Sequence, residues 1–428
     1  MLELDDRFCT FTDEVAADVA RAPWPTVPSA DQAPVLNGAV YQFFRSSINI
    51  SRRRDSGAFF SGPLVSRLLV DLLMQSTPKN AIIMDPTCGV GDLLLAYARE
   101  LRVRVSLQAT LDAWGRQLAG MDVNPHLVRM TKARLVMLAR ARGQFSEPIA
   151  STDDCFPLIS VSDFFDGEDR LREADGFLFN PPFGQTSSSE TRGWASGRVN
   201  SAAIFLDVLL RRKRPSAPVA ALLPEVLRCG SRYSRFRSHL VALGCRAAAT
   251  SIGRFDRWTD VDVFTTLIAE GASGGLWEDS TAASPAMVIG DLFDTRVGPV
   301  VPHRHPKRGP WRRFACAKTT PAGALDFEPQ NSRRFSGPVF CPPFVTVRRT
   351  SSPSDKRRAV GAIIVGPKPV AVENHLIVLI PKAGGLRRCE ELMAVLAQAE
   401  TSDFLNRSIR CRHLTTGAVA SIPWTGNV

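Results

Sequence analysis

Short apolar runs alternate with longer segments of helical spacing between residues 57 and 270. The runs have the length and the aliphatic content of buried strands, whereas the segments between them repeat apolar residues every three to four positions. The candidate strands are AIIMD (81–85), LAGMD (118–122), DGFLFN (175–180), PVAALLP (218–224) and FTTLIAE (264–270). This alternation is typical of βαβ units and predicts an α/β fold with a doubly wound, mostly parallel sheet.

The rest of the chain divides into three further regions. Residues 1–55 carry one candidate helix, NGAVYQFFRSSINI, and are predicted to form a helical extension ahead of a sheet domain at 56–272. A stretch rich in Gly, Ser, Ala and Pro predicts a linker at 273–288. Residues 289–428 show weak strand signals and one clear helix, CEELMAVLAQAE, so a smaller mixed domain is expected there.

Composition places the chain among ordinary globular proteins. It has 428 residues, of which 44% are hydrophobic and 22% charged. No apolar run reaches the length of a membrane span, and the acidic start MLELDDRFCTFTDE argues against a signal or transit peptide. The nine cysteines are scattered without a CxxC pair, which is typical of reduced thiols in a cytoplasmic protein.

The positive charge is concentrated in the last third of the chain. Of 53 basic and 42 acidic residues, 21 and 10 lie from Pro285 onward, so the two kinds balance before that point. Runs such as HRHPKRGPWRRF and VRRTSSPSDKRR mix arginine with aromatic residues and proline. A polyanion such as nucleic acid is one interpretation, and a solvated basic surface is the other.

The first chemical motif is IIMDPTCGVGDLLLAYA, where a strand ends at Asp85 and Pro86 opens a turn. Gly89 and Gly91 allow the backbone to approach a ligand, and the helix that follows favours anionic or polar groups at its start. A dinucleotide fingerprint would need a third glycine where Leu94 stands, and no Walker loop is present. An acid with two glycines suits a ligand that carries an amino group and a carboxylate, such as S-adenosylmethionine. A tight structural turn is the alternative.

Two further acidic residues follow strands of the predicted sheet. Asp122, in GMDVNP, is placed to accept hydrogen bonds from ribose hydroxyls, with Asn124 as the helix N-cap and Pro125 as the first helical residue. Asp122 alone would otherwise be a turn residue. Asp163 and Phe164, in ISVSDFF, form a pair that can hold an adenine by its amine and its face, although Phe164 can also be a core residue.

The motif FLFNPPFGQ ends the third predicted strand with a polar amide, two prolines and an aromatic ring. Pro181 and Pro182 fix the backbone and lack N–H groups, so their carbonyls can point outward. The Asn180 side-chain oxygen and the Pro181 carbonyl can then accept both hydrogens of a substrate amine, while Phe183 stacks on a planar base. A strand-ending turn is the alternative, and the similar CPPFVTV at 341–347 lacks the asparagine and is interpreted as structural.

The order of these motifs resembles the γ-class of N6-adenine DNA methyltransferases, which includes modification subunits of restriction systems. The resemblance covers about residues 40–270 and rests on GAFFSGP (57–63), DPTCGVG (85–91), GMD (120–122), SDFF (162–165) and NPPF (180–183). It implies a class I S-adenosylmethionine-dependent methyltransferase fold. It also implies sequence-specific methyl transfer to the N6 amine of a flipped-out adenine in double-stranded DNA, as part of a restriction-modification or related defence system.

The resemblance assigns roles to individual residues. The cofactor-binding residues it implies are Phe59, Phe60, Ser61, Asp85, Pro86, Gly89, Gly91, Asp122, Asp163 and Phe164. The residues implied at the target base are Asn180, Pro181, Pro182 and Phe183, with either Phe255 or Trp258 against the other face of the base. The first segment departs from the family, because it reads Ser-Gly-Pro where the family has Thr-Pro.

The basic tail resembles, more loosely, a target-recognition region. The expected DNA contacts are Lys307, Arg308, Arg312, Arg313, Arg348 and Arg349. A separate restriction or specificity subunit is a further expected partner. No metal is expected, because His303 and His305 stand among arginines without an acidic or thiolate partner nearby.

Other functions remain open at this level. The same Asn-Pro-Pro-Phe chemistry methylates glutamine amides of proteins and amines of some RNA bases. A non-catalytic DNA-binding module with a retained methyltransferase fold is a third possibility. The sequence gives neither the recognised DNA site nor the oligomeric state.

Overall fold

The computed structural model describes residues 6–21, 33–36, 40, 43, 62–187, 193–255, 261–270, 275–278, 286–409 and 412–426. The chain forms two compact units. Unit 1 comprises Met1–Leu227 and Arg232–Ser280, and unit 2 comprises Arg228–Ser231 and Thr281–Val428.

Unit 1 alternates helices and strands along the chain. Its described helices are α1 (Asp6–Ala20), α2 (Ala33–Leu36), α3 (Gly62–Met74), α4 (Asp92–Ala98), α5 (Leu107–Gly115), α6 (Pro125–Gly143), α7 (Ser201–Arg212), α8 (Glu225–Cys229, which begins in unit 1) and α9 (Ser234–Ala242). Its described strands are β1 (Ile83–Asp85), β2 (Leu118–Asp122), β3 (Ile159–Val161), β4 (Gly176–Phe179), β5 (Gln185–Ser187), β6 (Arg198–Asn200), β7 (Val219–Pro224), β8 (Ala247–Arg254), β9 (Asp262–Ile268) and β10 (Leu276–Glu278).

Eight of these strands form one sheet in the order β10-β8-β9-β7-β4-β1-β2-β3. Strands β3, β2, β1, β4 and β7 run parallel, and β9 is antiparallel to both β7 and β8. The chain winds outward from β1 through β2 and β3, then continues on the other side of β1 with β4. The predicted α/β fold with a mostly parallel sheet is therefore confirmed, and β1 and β4 flank the switch point where such sheets bind ligands.

The central strands of this sheet are apolar along their whole length. Every residue of β4 and β7 is buried, as expected for strands covered by helices on both faces. Helix α6 starts as the sequence predicts, with the Asn124 side chain accepting hydrogen bonds from the N–H groups of His126 and Leu127, and with Pro125 in the first turn. Strand β8 was not predicted because its sequence, AAATSIGR, is rich in residues of low strand propensity.

The N-terminal region contains a helix ahead of the predicted one. Helix α1, which the sequence did not indicate, packs against α6, where Arg129 forms an ion pair with Asp13 at 2.7 Å. The helix predicted at 37–50 lies outside the described residues except for Val40 and Phe43. Because α1 packs against a helix of the sheet domain, this region belongs to the same compact unit.

Unit 2 is a mixed structure with more strands than its sequence indicates. Its helices are α10 (Ile289–Leu292), α11 (Gly385–Ala397), α12 (Ala399–Ser408) and α13 (Thr416–Ala420). Its strands are β11 (Phe293–Val297), β12 (Trp311–Ala315), β13 (Ser332–Arg334), β14 (Phe344–Arg348), β15 (Gly361–Ile364), β16 (Val370–Val372) and β17 (Leu376–Pro381). They form a sheet in the order β11-β17-β14-β15 and a second sheet in the order β13-β12-β16.

The helix predicted as CEELMAVLAQAE begins earlier than expected, at Gly385, and a separate helix follows after Gln398. The string CPPFVTV leads into β14, in line with its structural interpretation. Among the described residues, no helix combines the length and the apolar character that crossing a membrane requires.

Candidate active site

Asp85 ends β1 at the carboxyl edge of the parallel sheet, where it is only 2% exposed. Its Oδ1 accepts a hydrogen bond from the Thr87 N–H at 3.1 Å, which closes the turn after the strand. Burial raises the pKa of this carboxyl to about 8, and the charges of Asp122 and Asp92 add to the shift. A cation at this position would favour the charged form, so Asp85 is suited to receive an ammonium group.

Asp122 ends the neighbouring strand β2 and reaches the same glycine loop. Its carboxylate accepts the N–H of Gly89 at 3.1 Å and the N–H of Asn124 at 2.9 Å. Burial raises its pKa, while these two N–H donors act in the opposite direction. Gly89 has a left-handed φ of 52°, and its carbonyl accepts the Thr131 hydroxyl at 2.8 Å. The strand ends and the glycine loop therefore form one hydrogen-bonded cluster.

Gly91 is required for a reason that the sequence did not reveal. It stands before α4 with φ 84°, and a Cβ atom there would lie 2.7 Å from Cγ2 of Thr131 on α6. Both the backbone conformation and the packing exclude a larger residue. Gly91 thus allows α4 and α6 to approach, and its role in ligand approach stays a prediction.

A buried arginine holds the exit of the glycine loop. Arg134, on α6, is 1% exposed and forms an ion pair with Asp92 at 2.8 Å. The same guanidinium donates to the carbonyls of Val90 and Val35, the latter at 2.9 Å. It thereby links the start of α4 to the N-terminal region, and its buried hydrogen bonds fix the loop geometry.

Asp163 and Phe164 follow β3 at the same edge of the sheet. Asp163 is exposed, and its Oδ1 accepts the Phe165 N–H at 2.8 Å. Phe164 is 3% exposed and stacks on Phe205 with 4.7 Å between ring centroids. Most of the Phe164 ring is therefore in the core, and the exposed ring after Asp163 is that of Phe165.

The Asn-Pro-Pro-Phe segment follows β4 and is joined to the loop after β1. Thr87 stands two residues after Asp85, and its hydroxyl donates to the Asn180 carbonyl at 3.3 Å. Because β1 and β4 are adjacent parallel strands, their ends place the buried carboxyl of Asp85 beside this segment. Asn180 itself is half-buried at the strand end.

The start of α7 holds the following carbonyls of this segment. The single hydroxyl hydrogen of Ser201 is shared between the carbonyls of Pro182 and Gly184, each 2.9 Å from the hydroxyl oxygen, and the Ser201 N–H also donates to the Gly184 carbonyl at 2.8 Å. The Asn200 side chain donates to the Phe183 carbonyl at 2.9 Å and also caps the helix. Both side chains are buried, so the segment has a fixed conformation rather than that of a mobile loop.

Pro181 differs from its neighbours in this respect. The carbonyls of Asn180, Pro182, Phe183 and Gly184 each accept a hydrogen bond from the protein. Within the part of the chain that the structure describes, no donor contacts the Pro181 carbonyl. One acceptor of the segment is thus left for a ligand, next to the Asn180 amide.

Two of the predicted base-stacking residues lie together. The rings of Phe183 and Phe255 have centroids 6.0 Å apart and planes at 80° to each other. A base between two parallel rings needs about 3.5 Å to each of them, so one ring must turn before a base can lie between both. Trp258 lies outside the described residues.

Comparison with known proteins gives a match over part of the chain. Residues 33–203, less than half of the chain, match the model of the family described as N-6 DNA methylase. The range includes Asp85, Asp122 and the Asn-Pro-Pro-Phe segment, so this part of the chain resembles an N-6 DNA methylase domain. The chain is an adenine-specific DNA methyltransferase, and its methyl donor is S-adenosylmethionine.

The fold is shared with a solved structure. The methylase is similar to the type IIL restriction-modification enzyme MmeI in complex with DNA, with a TM-score of 0.55, 14% identity, and coverage of 91% of this chain and 70% of that chain. It is also similar to a modification subunit of a putative type I restriction enzyme from Vibrio vulnificus, with a TM-score of 0.40, 16% identity, and coverage of 65% and 54%. No curated protein sequence matches the chain.

The cluster at the sheet edge fits S-adenosylmethionine. The buried Asp85 carboxyl suits the ammonium group, and the Asp122 carboxylate suits ribose hydroxyls. Beside them, Val123, Val161 and Phe165 present exposed apolar side chains, which suit an adenine. The donor set and the apolar surface therefore match the chemistry of the methyl donor.

Several supporting residues of the methylase were missed from the sequence. Asn200 and Ser201 carry a helix-start signal in VNSAAIF, which would have found the cap but not the contact with Phe183. Thr87 and Arg134 carry no signal, because their contacts connect residues distant in the chain.

The remaining predicted site residues lie elsewhere. Phe59, Phe60 and Ser61 are outside the described residues, and Pro86 is buried in the turn after β1. In unit 2, Lys307 and Arg308 are exposed, and Arg312 and Arg313 lie on β12. Arg348 and Arg349 donate to the backbone carbonyls of Thr320 and Asn374, at 3.2 and 3.0 Å. These last two guanidinium groups therefore have a structural role.

Proposed function

We propose that the methylase transfers the methyl group of S-adenosylmethionine to an adenine rotated out of a DNA duplex, and that Asn180 and Pro181 bind the adenine amine. The observation that carries this proposal is the hydrogen-bond pattern of the segment, in which four carbonyls are taken by the protein and that of Pro181 is not. A stacked adenine hides its amine, so rotation out of the duplex is required, at a cost of a few kcal/mol.

The chemistry needs acceptors rather than a strong base. The Asn180 side-chain oxygen and the Pro181 carbonyl accept the two N6 hydrogens, which raises electron density on nitrogen and directs its lone pair away from the ring. S-adenosylmethionine supplies an electrophilic methyl group, so a nitrogen–carbon bond forms as the sulfur–carbon bond breaks. One N6 proton then leaves to solvent, and the amine becomes a secondary amine.

The cofactor residues are assigned by their position around the cluster. Asp85 receives the ammonium group, Asp122 the ribose hydroxyls, and Asp163 the adenine amine. Phe164 contributes only the edge of its ring, since it is almost fully buried. Proposals of the same kind assign four residues to the methionine part of the cofactor: Phe59, Phe60, Ser61 and Pro86. Gly89 is assigned to the approach of the cofactor to the backbone.

Unit 2 is proposed to contact the DNA backbone and to confer sequence specificity. Lys307 and Arg308 are exposed and available to phosphates, with Arg312 on the strand that follows. We leave three arginines out of this set, because their guanidinium groups donate to backbone carbonyls of neighbouring segments: Arg313, Arg348 and Arg349. Phosphate contacts would set the register of the duplex, and base contacts would specify the site.

A restriction-modification role is the biological setting we propose. The supporting observation is the fold shared with MmeI, a restriction-modification enzyme solved with DNA. In this setting the chain modifies DNA in the cytoplasm and works with a restriction or specificity subunit. Methylation by the isolated chain would show that no partner is needed for transfer.

The experiment that tests the proposal is transfer of a labelled methyl group from S-adenosylmethionine to genomic DNA by the purified chain, followed by nucleoside analysis. We expect N6-methyladenine with the natural chain and none with Asn180→Ala, while calorimetry shows little change in cofactor affinity. Asn331→Ala, which alters an exposed asparagine of unit 2, is the matched control. Label in RNA or protein instead of DNA, or full activity of Asn180→Ala, would contradict the proposal.

A further inference from the structure

Strands β12 and β13 form one side of the sheet β13-β12-β16 in unit 2, and the methyl-transfer chemistry does not explain the surface of this pair, which is called the ribbon here. The strands are antiparallel, with Trp311 opposite Arg334 and Arg313 opposite Ser332. Side chains alternate between the faces of a strand, so these four residues share one face. The Trp311 face is defined here as Trp311, Arg313, Ser332 and Arg334. Trp311 is 72% exposed, which is unusual for the largest apolar side chain of a sheet.

The other face of the ribbon holds a loop in place. Arg333 is 8% exposed and donates to the carbonyls of Pro302 and His305, the latter at 2.7 Å. Its guanidinium also lies over the Phe314 ring, at 5.8 Å from the centroid. The loop at 302–310, which carries Lys307 and Arg308, is thereby fastened to the ribbon.

Two further features fix this loop. Arg334 donates from Nε to the Gly309 carbonyl at 2.8 Å. Gly309 has φ 94°, and a Cβ there would lie 2.9 Å from the backbone N of Ser336, so only glycine fits this close approach. A loop held in this way loses little conformational freedom when it binds a partner. The basic side chains are thus presented from a fixed backbone.

The charge of this region indicates the kind of partner. Residues 295–325 contain seven Lys and Arg and no Asp or Glu. Arg334 on β13 adds a further exposed positive charge. A rigid basic surface that carries an exposed aromatic ring complements a polyanion that also offers apolar or π surfaces, and nucleic acid has both. Among the described residues, β12 pairs with β13 alone at Trp311 and Arg312, because its pairing with β16 begins at Arg313, and the major groove of duplex DNA admits an element that is two strands wide.

We propose that the β12–β13 ribbon is a groove-contacting element for duplex DNA, with Trp311 against base edges and Lys307 and Arg308 at the flanking phosphates. This inference rests on the proposed function only in taking duplex DNA as the substrate. It adds a residue that contributes affinity without charge. Trp311 makes an apolar contact in the groove, so its contribution is independent of salt, whereas that of the basic residues is not.

The test compares Trp311→Ala with the natural chain in binding to a fluorescent DNA duplex over a range of salt concentrations. We expect about tenfold weaker binding at every salt concentration, with an unchanged slope of log affinity against log salt. Trp311→Phe keeps an aromatic ring and should recover most of the affinity. Leu325→Ala, another exposed apolar residue of unit 2, is the control and should bind like the natural chain.

Three results would overturn the inference. The first is Trp311→Ala binding duplex DNA as tightly as Leu325→Ala does. The second is a loss confined to single-stranded DNA or RNA, which would assign the ribbon to another nucleic acid. The third is a loss of unit 1 function in the same variant, seen as weaker S-adenosylmethionine binding, which would indicate a general structural defect.

The binding assay does not depend on methyl transfer, so the two proposals can fail separately. Duplex binding that needs Trp311, in a chain that methylates no DNA, would keep the ribbon and refute the proposed reaction. Methylation that needs Asn180 but is indifferent to Trp311, with duplex affinity also unchanged, would keep the reaction and refute the ribbon.

Discussion

The two units use charged residues in opposite ways. In unit 1 the groups around the candidate active site are buried, as with Asp85 at 2% and Arg134 at 1% exposure. In unit 2 the basic side chains of Lys307 and Arg308 are exposed on a loop fastened to a strand pair. Catalytic positioning needs fixed geometry without competing water, whereas contact with a polyanion needs accessible charge.

The energetic consequences of this difference are also distinct. A buried group depends on its neighbours, as the hydrogen bonds of Arg134 to Val35, Val90 and Asp92 show, and removing one partner disturbs several others. An exposed cation is screened by salt and contributes separately from the next one. Substituting a residue of the site in unit 1 should therefore cause a large loss of activity. Substituting an exposed basic residue in unit 2 should cause a small loss of DNA affinity that adds to the next one.

Among the residues that support the site, the largest effect is expected for Asn200→Ala in unit 1. This change removes the donor to the Phe183 carbonyl and the cap of α7, so the Asn-Pro-Pro-Phe segment loses part of its support. We expect single-turnover methyl transfer to fall by about 10- to 100-fold, with a stability loss of about 1 kcal/mol.

A matched control separates these two consequences. Ser106→Ala removes a helix cap of the same kind, since the Ser106 side chain accepts the Ala109 N–H at 3.2 Å at the start of α5. It should lower the melting temperature by a similar amount and leave transfer unchanged. Equal transfer rates in the two variants would mean that the hydrogen bond from Asn200 to the Asn-Pro-Pro-Phe segment does not control the chemistry.

The next effect concerns the pH dependence of cofactor binding. Because burial raises the pKa of Asp85 to about 8, this carboxyl holds a proton at neutral pH, and binding of an ammonium group releases that proton. Affinity for S-adenosylmethionine should then rise with pH, approaching tenfold per pH unit well below 8. Above about pH 8 it should fall again, as an α-amino group loses its own proton there.

Calorimetry across this range checks the sign. Asp85→Asn should bind more weakly and lose the rise on the acid side, whereas Asp163→Asn, at an exposed carboxylate, should keep it. A flat profile in the natural chain would show that Asp85 does not meet the ammonium group.

The smallest effect is expected in unit 2, for Lys307→Gln and Arg308→Gln. Each variant should weaken DNA binding a few-fold and reduce the slope of log affinity against log salt by about 0.9, and the two changes should add. Arg387→Gln, which removes a charge that is 84% exposed on α11, is the control. A loss of DNA affinity in the double variant that far exceeds the sum of the two single losses would contradict the difference proposed between the units.

Much of unit 1 could be predicted because its signals are local. Strands β1, β2, β4 and β7 are short apolar runs bounded by turn residues, and Asp85, Asp122 and Asn180 each stand at or directly after a strand end. In a parallel sheet these ends meet at one edge, so the position of Asp85, Asp122 and Asn180 in the chain implies their neighbourhood. Strand β8 escaped because its alanine, serine and glycine residues lack strand propensity.

Unit 2 was less predictable because its strands pair over long distances in the chain. Phe293 of β11 pairs with Pro381 of β17, and Arg313 of β12 pairs with Val370 of β16. The basic runs were visible in the sequence, but their roles were not. In the sequence, Arg333 and Arg348 cannot be distinguished from Arg308. In the structure, their guanidinium groups donate to backbone carbonyls, whereas Arg308 is exposed.

The sequence alone determined the class of fold, the motifs at the strand ends and the chemistry that an Asn-Pro-Pro-Phe segment offers, because each depends on residues adjacent in the chain. Only the tertiary structure decided which groups support that chemistry. The donors of Thr87, Asn200 and Ser201 reach the segment from other elements, and Gly91 is fixed by the approach of Thr131. Burial and hydrogen bonding are properties of the packed chain, so desolvation, pKa shifts and the single remaining carbonyl at Pro181 arise only once distant segments meet.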